Sequence, residues 1–263
     1  MLPAPPRLPR QHGAWVMLAI PALLGLALTR LRAGAGWWAL PGLVLAFLAQ
    51  DVLVQAAHAG GRGSAAYVRS RRIWGSLYLA GAGACFLAML LAAPAGARPA
   101  VLEVALPSAA AATIWGVHSA LRRGRALWSE LIGMAGMALI APLVVAAAGL
   151  PVPGPPLGAA ALAYAYCVSS VTSVRTHERR RTAPALALAV AAGVHVLLLG
   201  GILFLVRAGA LSSLGALAFL PVVLRAAVGV LSPPRDLRAL GKRELWVAAS
   251  FTALSLVSFW LSA

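Results

Sequence analysis

Carboxylates are the scarcest functional groups in this chain. Six Asp and Glu stand against 22 Lys and Arg among 263 residues, a net charge of +16. So few acids leave little for a multi-carboxylate metal centre, because hard divalent cations take several oxygen ligands. Cysteine is scarcer still: Cys85 and Cys167 both fall inside apolar runs, with no CxxC spacing. That excludes a disulfide framework or a thiolate zinc site. The usual soluble signatures are missing too. There is no Walker sequence, no HExxH and no GxSxG, and Gly81-Ala82-Gly83 lacks the downstream glycine of a dinucleotide loop. Charged residues make up only 11% of the chain.

What is present is oil. Hydrophobic residues reach 61%, far above the roughly 45–50% of soluble domains, and the mean hydropathy is +0.87. Nine apolar runs approach bilayer length, over residues 14–29, 37–57, 74–93, 100–117, 128–149, 157–174, 183–206, 211–231 and 245–261. Prolines punctuate them: four between 150 and 156, a pair at Pro233 and Pro234, and Pro94 and Pro99 around another turn. The expectation is an all-α polytopic membrane bundle of about nine helices in a single domain, 1–263, with 1–13 as a short cytoplasmic segment.

Charge placement supports the count. With the N-terminus in the cytoplasm, 17 of the 22 basic residues fall in inside segments and four outside, with Arg225 within the eighth run. That asymmetry is what the positive-inside rule demands, so the C-terminus is expected outside a bacterial inner membrane. Six of the eight tryptophans sit at run starts, in the interfacial belt. Arg7 and Arg10 ahead of an apolar run imitate a signal peptide, yet Arg30 and Arg32 precede the small residues at 33–35 and would hinder cleavage; the segment reads as a retained first helix. The excess charge is assigned to orientation and to anionic lipids, not to nucleic acid.

Polar residues gather near the cytoplasmic surface. Gln50, Asp51, Gln55 and His58 close the second run, with Asp51, Gln55 and His58 on one helical face. The stretch 169–181 concentrates hydroxyls, a histidine, Glu178 and four arginines. If it stays helical, Tyr166, Ser170, Ser173 and His177 form one stripe. Two explanations remain open: hydroxyls satisfying backbone carbonyls while arginines anchor a loop, or a ligand site. Arg225 either snorkels from about 10 Å below the surface or has a partner. Asp51 is too short to snorkel and needs a partner or a cavity. Glu130 is explained by a helix dipole, and His195 reads as a hydrogen-bonded core histidine.

The opening Pro9-Arg10-Gln11-His12-Gly13-Ala14-Trp15 resembles the amino-terminal signature of the YwiC-like family of bacterial membrane proteins. Glu130-Leu131-Ile132-Gly133 and Ser173-Val174-Arg175 with Glu178-Arg179 look like the same family. That resemblance implies no particular activity. A more distant similarity is to UbiA-type intramembrane prenyltransferases, which have nine helices and a cytoplasmic site where helices two and six meet their loops. It implies two four-helix repeats plus one helix, magnesium, and an isoprenyl diphosphate. This chain departs by supplying one carboxylate at each place, Asp51 and Glu178, amid eleven arginines in three flanking loops. Magnesium is therefore disfavoured, and direct phosphate binding by arginine is favoured.

The leading expectation is thus a cytoplasm-facing site for an isoprenoid or other lipid anion. Asp51 and Glu178 would act as base or weak ligands; Gln50, Gln55, His58, Ser170, Ser173, Arg175, His177, Arg179 and Arg225 would hold the lipid or its phosphate; Gln11, His12 and Trp15 mark the N-terminal motif. A small-ion or small-anion transporter, and a non-catalytic assembly protein, are the competing readings.

Overall fold

The computed structural model describes residues 6, 12–59, 64–121, 127–180, 182–232 and 236–262. Gln11 lies outside them, as do Arg7, Arg10, Arg62, Arg122, Arg123, Arg125, Arg181, Arg235 and the proline pair Pro233-Pro234.

All regular structure among the described residues is helical: α1 (His12–Leu28), α2 (Ala39–Ala59), α3 (Ala65–Ala92), α4 (Arg98–Ala120), α5 (Leu127–Ala138), α6 (Ile140–Ala147), α7 (Pro155–Arg179), α8 (Pro184–Arg207), α9 (Ser213–Leu217), α10 (Leu220–Leu231) and α11 (Leu237–Ser262), with single turns of 3-10 helix at Gly34–Trp38 and Ala95–Ala97. Eight stretches are long and apolar enough to cross a membrane, and Trp15–Leu28 is a shorter apolar helix. The polytopic bundle expected from the nine apolar runs is what the chain forms.

Two spans are split, and proline explains both. Pro142 lacks the N–H that would bond Ala138, and α5 ends at Ala138; Pro221 likewise fails Leu217, where α9 ends. Elsewhere helices outrun the apolar segments. α3 begins at Ala65, α7 continues to Arg179 and α11 begins at Leu237, so residues expected in basic loops lie on helical turns. Arg, Lys and Glu are good helix formers and no proline interrupts them, so each helix runs on past the end of its apolar stretch.

α1 is the axis. One side carries Ile20 and Leu24 into a core with Leu162, Tyr166, Phe219 and Phe251, while Ala22 and Leu26 join Met89, Val101 and Val144 on the other. α7 and the α5–α6 span are mostly buried, whereas α8 lies at the periphery. Small residues set the spacing. A Cβ on Gly158 would come within 1.9 Å of the Ala210 carbonyl oxygen, and one on Gly25 within 2.8 Å of that of Ala141. Such approaches are the membrane alternative to a water-driven core.

The C-terminal end of α10 is fixed by two arginines. Arg180 donates to the carbonyls of Gly229 at 2.8 Å and Val230 at 3.1 Å, and Arg243 to that of Ser232 at 3.1 Å. These are final-turn carbonyls without helical partners, and a cation there also meets the negative end of the helix dipole.

Candidate functional site

Near the basic end of α7 and inside α10, four helices meet at a polar network. Arg225 is 4% exposed, too deep in the packing to be a snorkelling side chain. Its Nη1 donates to Glu244 Oε2 at 2.5 Å, and its Nη2 donates to Ser169 Oγ. Ser170 donates to the same Glu244 oxygen at 2.8 Å. The alternative that the arginine reaches the interface alone is therefore replaced by a buried pair, the arrangement an intramembrane charge requires.

The network continues to the middle of α8. His195 Nδ1 lies 2.7 Å from the Ala191 carbonyl oxygen, and Nε2 lies 2.7 Å from Ser169 Oγ. A carbonyl only accepts, so Nδ1 carries a proton; Ser169 accepts from Arg225 and passes its own hydroxyl proton towards Nε2. One neutral tautomer satisfies every contact in the run Arg225, Ser169, His195, Ala191. His195 is the twelfth residue of α8, roughly 16 Å along the helix, about half a bilayer core.

Two cavities flank this network. The larger, of about 1050 Å³, lies between α1, α5, α7 and α11, and is lined by Trp15, Val16, Met17, Glu130, Tyr166, Ser170, Val171, Val174, Arg175, Glu178, Arg179, Arg238, Lys242, Glu244, Leu245 and Ala248 among others. The smaller, of about 330 Å³, lies between α7, α8, α10 and α11; its lining includes Ser173, Thr176, His177, Arg180, His195, Arg225, Arg243 and Glu244. The stripe on α7 is thus a ridge between them: Tyr166 and Ser170 border one cavity, Ser173 and His177 the other, and Glu244 borders both.

Charges in the larger cavity do not balance. Arg175 donates to Glu130 at 2.8 Å, so Glu130 does more than meet a helix dipole. Glu244 is neutralised by Arg225. Arg179, Arg238 and Lys242 form no ion pair among the described residues, and only Glu178 opposes them. Three cations at the rim thus face one carboxylate.

The residues on α2 belong elsewhere. Asp51 accepts from Gln55 Nε2 at 2.7 Å, and His58 Nε2 donates to the Ser119 carbonyl at 2.9 Å, tying the end of α2 to α4. Gln50 lines a third, apolar cavity of about 540 Å³ between α2, α3, α4 and the α5–α6 span. Asp51 and Glu178 therefore do not share a cavity. A magnesium centre does not fit this donor set, since Asp51 stands apart and Glu130 and Glu244 are engaged by arginines.

Trp15 packs edge-on to Phe47 at 4.9 Å and borders the larger cavity; His12 opens α1. The family model described as YwiC-like protein matches residues 8–145, just over half of the chain. The chain belongs to the YwiC-like family. In this YwiC-like protein the match runs from the start of α1 into α6, taking in Trp15, Asp51 and Glu130. The Arg225–Glu244 pair and all of α7 lie beyond it. No curated protein and no solved structure matches the chain.

Glu244, Arg238 and Lys242 are site residues that sequence reasoning missed, because the basic run that holds them reads as a loop; Glu244 is the most consequential. Two cues pointed to it. It is one of only six acids, and it stands ten residues after Pro234, close to the eight by which Arg225 precedes Pro233.

Proposed function

We propose that this YwiC-like protein binds an amphiphilic anion, a lipid headed by phosphate or diphosphate, in the larger cavity. The carrying observation is the excess of unpaired cations, Arg179, Arg238 and Lys242, at the rim of a cavity with apolar walls. Arginine suits a phosphate because its planar fork can meet two oxygens at once. Val16, Met17, Val171, Val174, Leu245 and Ala248 offer a surface for the hydrocarbon chain. The volume, about 1050 Å³, stands at the upper end of ligand cavities, in keeping with a head plus part of a chain.

The positive-inside asymmetry supports a cytoplasmic orientation for this end of the bundle, in a bacterial inner membrane. An isoprenyl diphosphate and a phosphate-headed glycerolipid share the recognised chemistry. The role assigned is binding, with Glu178 and Arg175 shaping the rim and no group-transfer step.

Native mass spectra of the detergent-solubilised protein with geranylgeranyl diphosphate, phosphatidic acid or phosphatidylcholine test this reading. One anionic lipid per chain should bind saturably, and an Arg179→Gln/Lys242→Gln double variant should weaken it at least tenfold, about 1.4 kcal/mol. The relative strength of the two anionic lipids identifies the source of the head. Equal binding of phosphatidylcholine, or no effect of the double variant, would sink the proposal.

A further inference from the structure

The third cavity, against α2, is built for something other than an anion. None of the residues that line it is charged, so Gln50, expected to help hold a phosphate, has no cation beside it on this wall. α3 packs on α2 and α4 packs on the α5–α6 span, while α3 and α4 hardly meet. The cavity therefore opens between those two helices towards lipid, and Leu79 of α3 and Val117 of α4, both among its lining, are exposed. An ion entering there would lose its water and gain no countercharge, so the occupant is neutral.

Gln50 supplies the polar feature. It is half-buried and lies about 14 Å short of the end of α2, too deep for its short side chain to reach the interface. Among the described residues its amide has no hydrogen-bond partner. Its Nε2 lies beside an open face of α4: a Cβ on Gly116 would meet Gln50 Cγ and Nε2 at 3.9 Å and nothing nearer. In hydrocarbon an unmet amide is costly, and water is not there to meet it.

The rest of the wall narrows the choice. Ser108 Oγ donates to the Gly136 carbonyl and Thr113 Oγ1 to that of Ala109, each at 2.8 Å. The indoles of Trp38 and Trp115 can only donate. What is wanted is an acceptor, and a carbonyl accepts without bringing a donor that would itself need a partner. Acyl chains of the surrounding lipid could fill the space but carry no acceptor at this depth. At about 540 Å³ the cavity holds roughly 18 groups of water size, ~30 Å³ each.

We propose that this cavity is a second ligand site, for an uncharged lipid-soluble carbonyl compound of the ketone or quinone type, whose carbonyl oxygen accepts from Gln50 Nε2 while its hydrocarbon body lies along the apolar wall. The cavity shares no lining residue with the larger one, so this site stands whether or not an anion binds there.

The test uses the full chain in nanodiscs of ether-linked lipids, which carry no carbonyl, with tridecan-7-one as the probe. Infrared difference spectra between ketone isotope-labelled at the carbonyl and unlabelled ketone isolate the carbonyl stretch, which falls in frequency when the oxygen accepts a hydrogen bond. A down-shifted band should appear with the protein, be absent from empty nanodiscs, and saturate at one ketone per chain. Gln50→Leu should abolish it by removing the donor. Gly116→Leu should abolish it by filling the space while keeping Gln50, and both variants should retain the wild-type circular dichroism. A shifted band that survives Gln50→Leu would overturn the proposal, because another group then holds the carbonyl. One that survives Gly116→Leu would overturn it by placing the ketone elsewhere. No saturable shifted band would mean that ordinary acyl chains fill the cavity, and would overturn it as well.

Discussion

Replacing Glu244 by leucine should be among the most costly single changes in this protein, and replacing Arg225 as well should undo most of the damage. The side chains are 2% and 14% exposed for Arg225 and Glu244 respectively, so neither partner has ready access to water. Glu244→Leu strands a guanidinium that cannot shed its charge, at a cost of about 3–5 kcal/mol. Arg225→Leu strands a carboxylate, which can take up a proton, and leaves Ser169 without its donor; about 1–3 kcal/mol is expected. The double leucine variant removes both charges and should lie within about 1 kcal/mol of the wild type. Reversible unfolding in bicelles by titration with dodecyl sulfate, followed by circular dichroism, gives all four corners of the cycle. A coupling of about 2 kcal/mol or more is the expected result. Single changes that add within ~0.5 kcal/mol would refute the claim that the two residues form one buried unit.

Two further outcomes follow from local geometry. Gly158→Ala places a Cβ 1.9 Å from a backbone oxygen that no rotamer can move, whereas nothing lies within 4 Å of Gly200; the first should cost at least about 2 kcal/mol, and Gly200→Ala should be neutral or up to ~1 kcal/mol stabilising in the same unfolding assay. Glu130→Gln breaks an ion pair whose side chains remain 24% and 25% exposed, so its cost should stay below about 1 kcal/mol and shrink as salt is raised to 1 M.

The bundle was legible because its signals are redundant: apolar length, proline breaks and the alternation of basic segments all mark the same boundaries. The network was legible only in part. Arg225 stood out as a charge within an apolar run, but its partner hid in a basic stretch that the structure shows to be the first turns of α11. Helical hairpins explain the pairing. Arg225 and Glu244 sit almost symmetrically about the proline pair, as Ser169 and His195 do about Thr182, so residues equidistant from a turn arrive at the same depth. Asp51 illustrates the opposite failure. Its depth and the resemblance to UbiA-type enzymes suggested a shared site with α7, yet Gln55, one turn on, satisfies it locally. Depth alone puts two groups at one level of the membrane without bringing them together, and which helices pack is decided by small-residue contacts such as Gly158 on Ala210.

The most direct measurement of the central claim is where a bound anionic lipid sits. A phosphate-headed lipid carrying a diazirine near the head, illuminated with the protein in nanodiscs, should label residues 171–179 of α7 and 238–248 of α11. Excess phosphatidic acid should suppress that labelling. Label concentrated instead on the apolar cavity around Gln50 and Leu53, or spread evenly over the lipid-facing helices and indifferent to competitor, would contradict an anion site at the larger cavity.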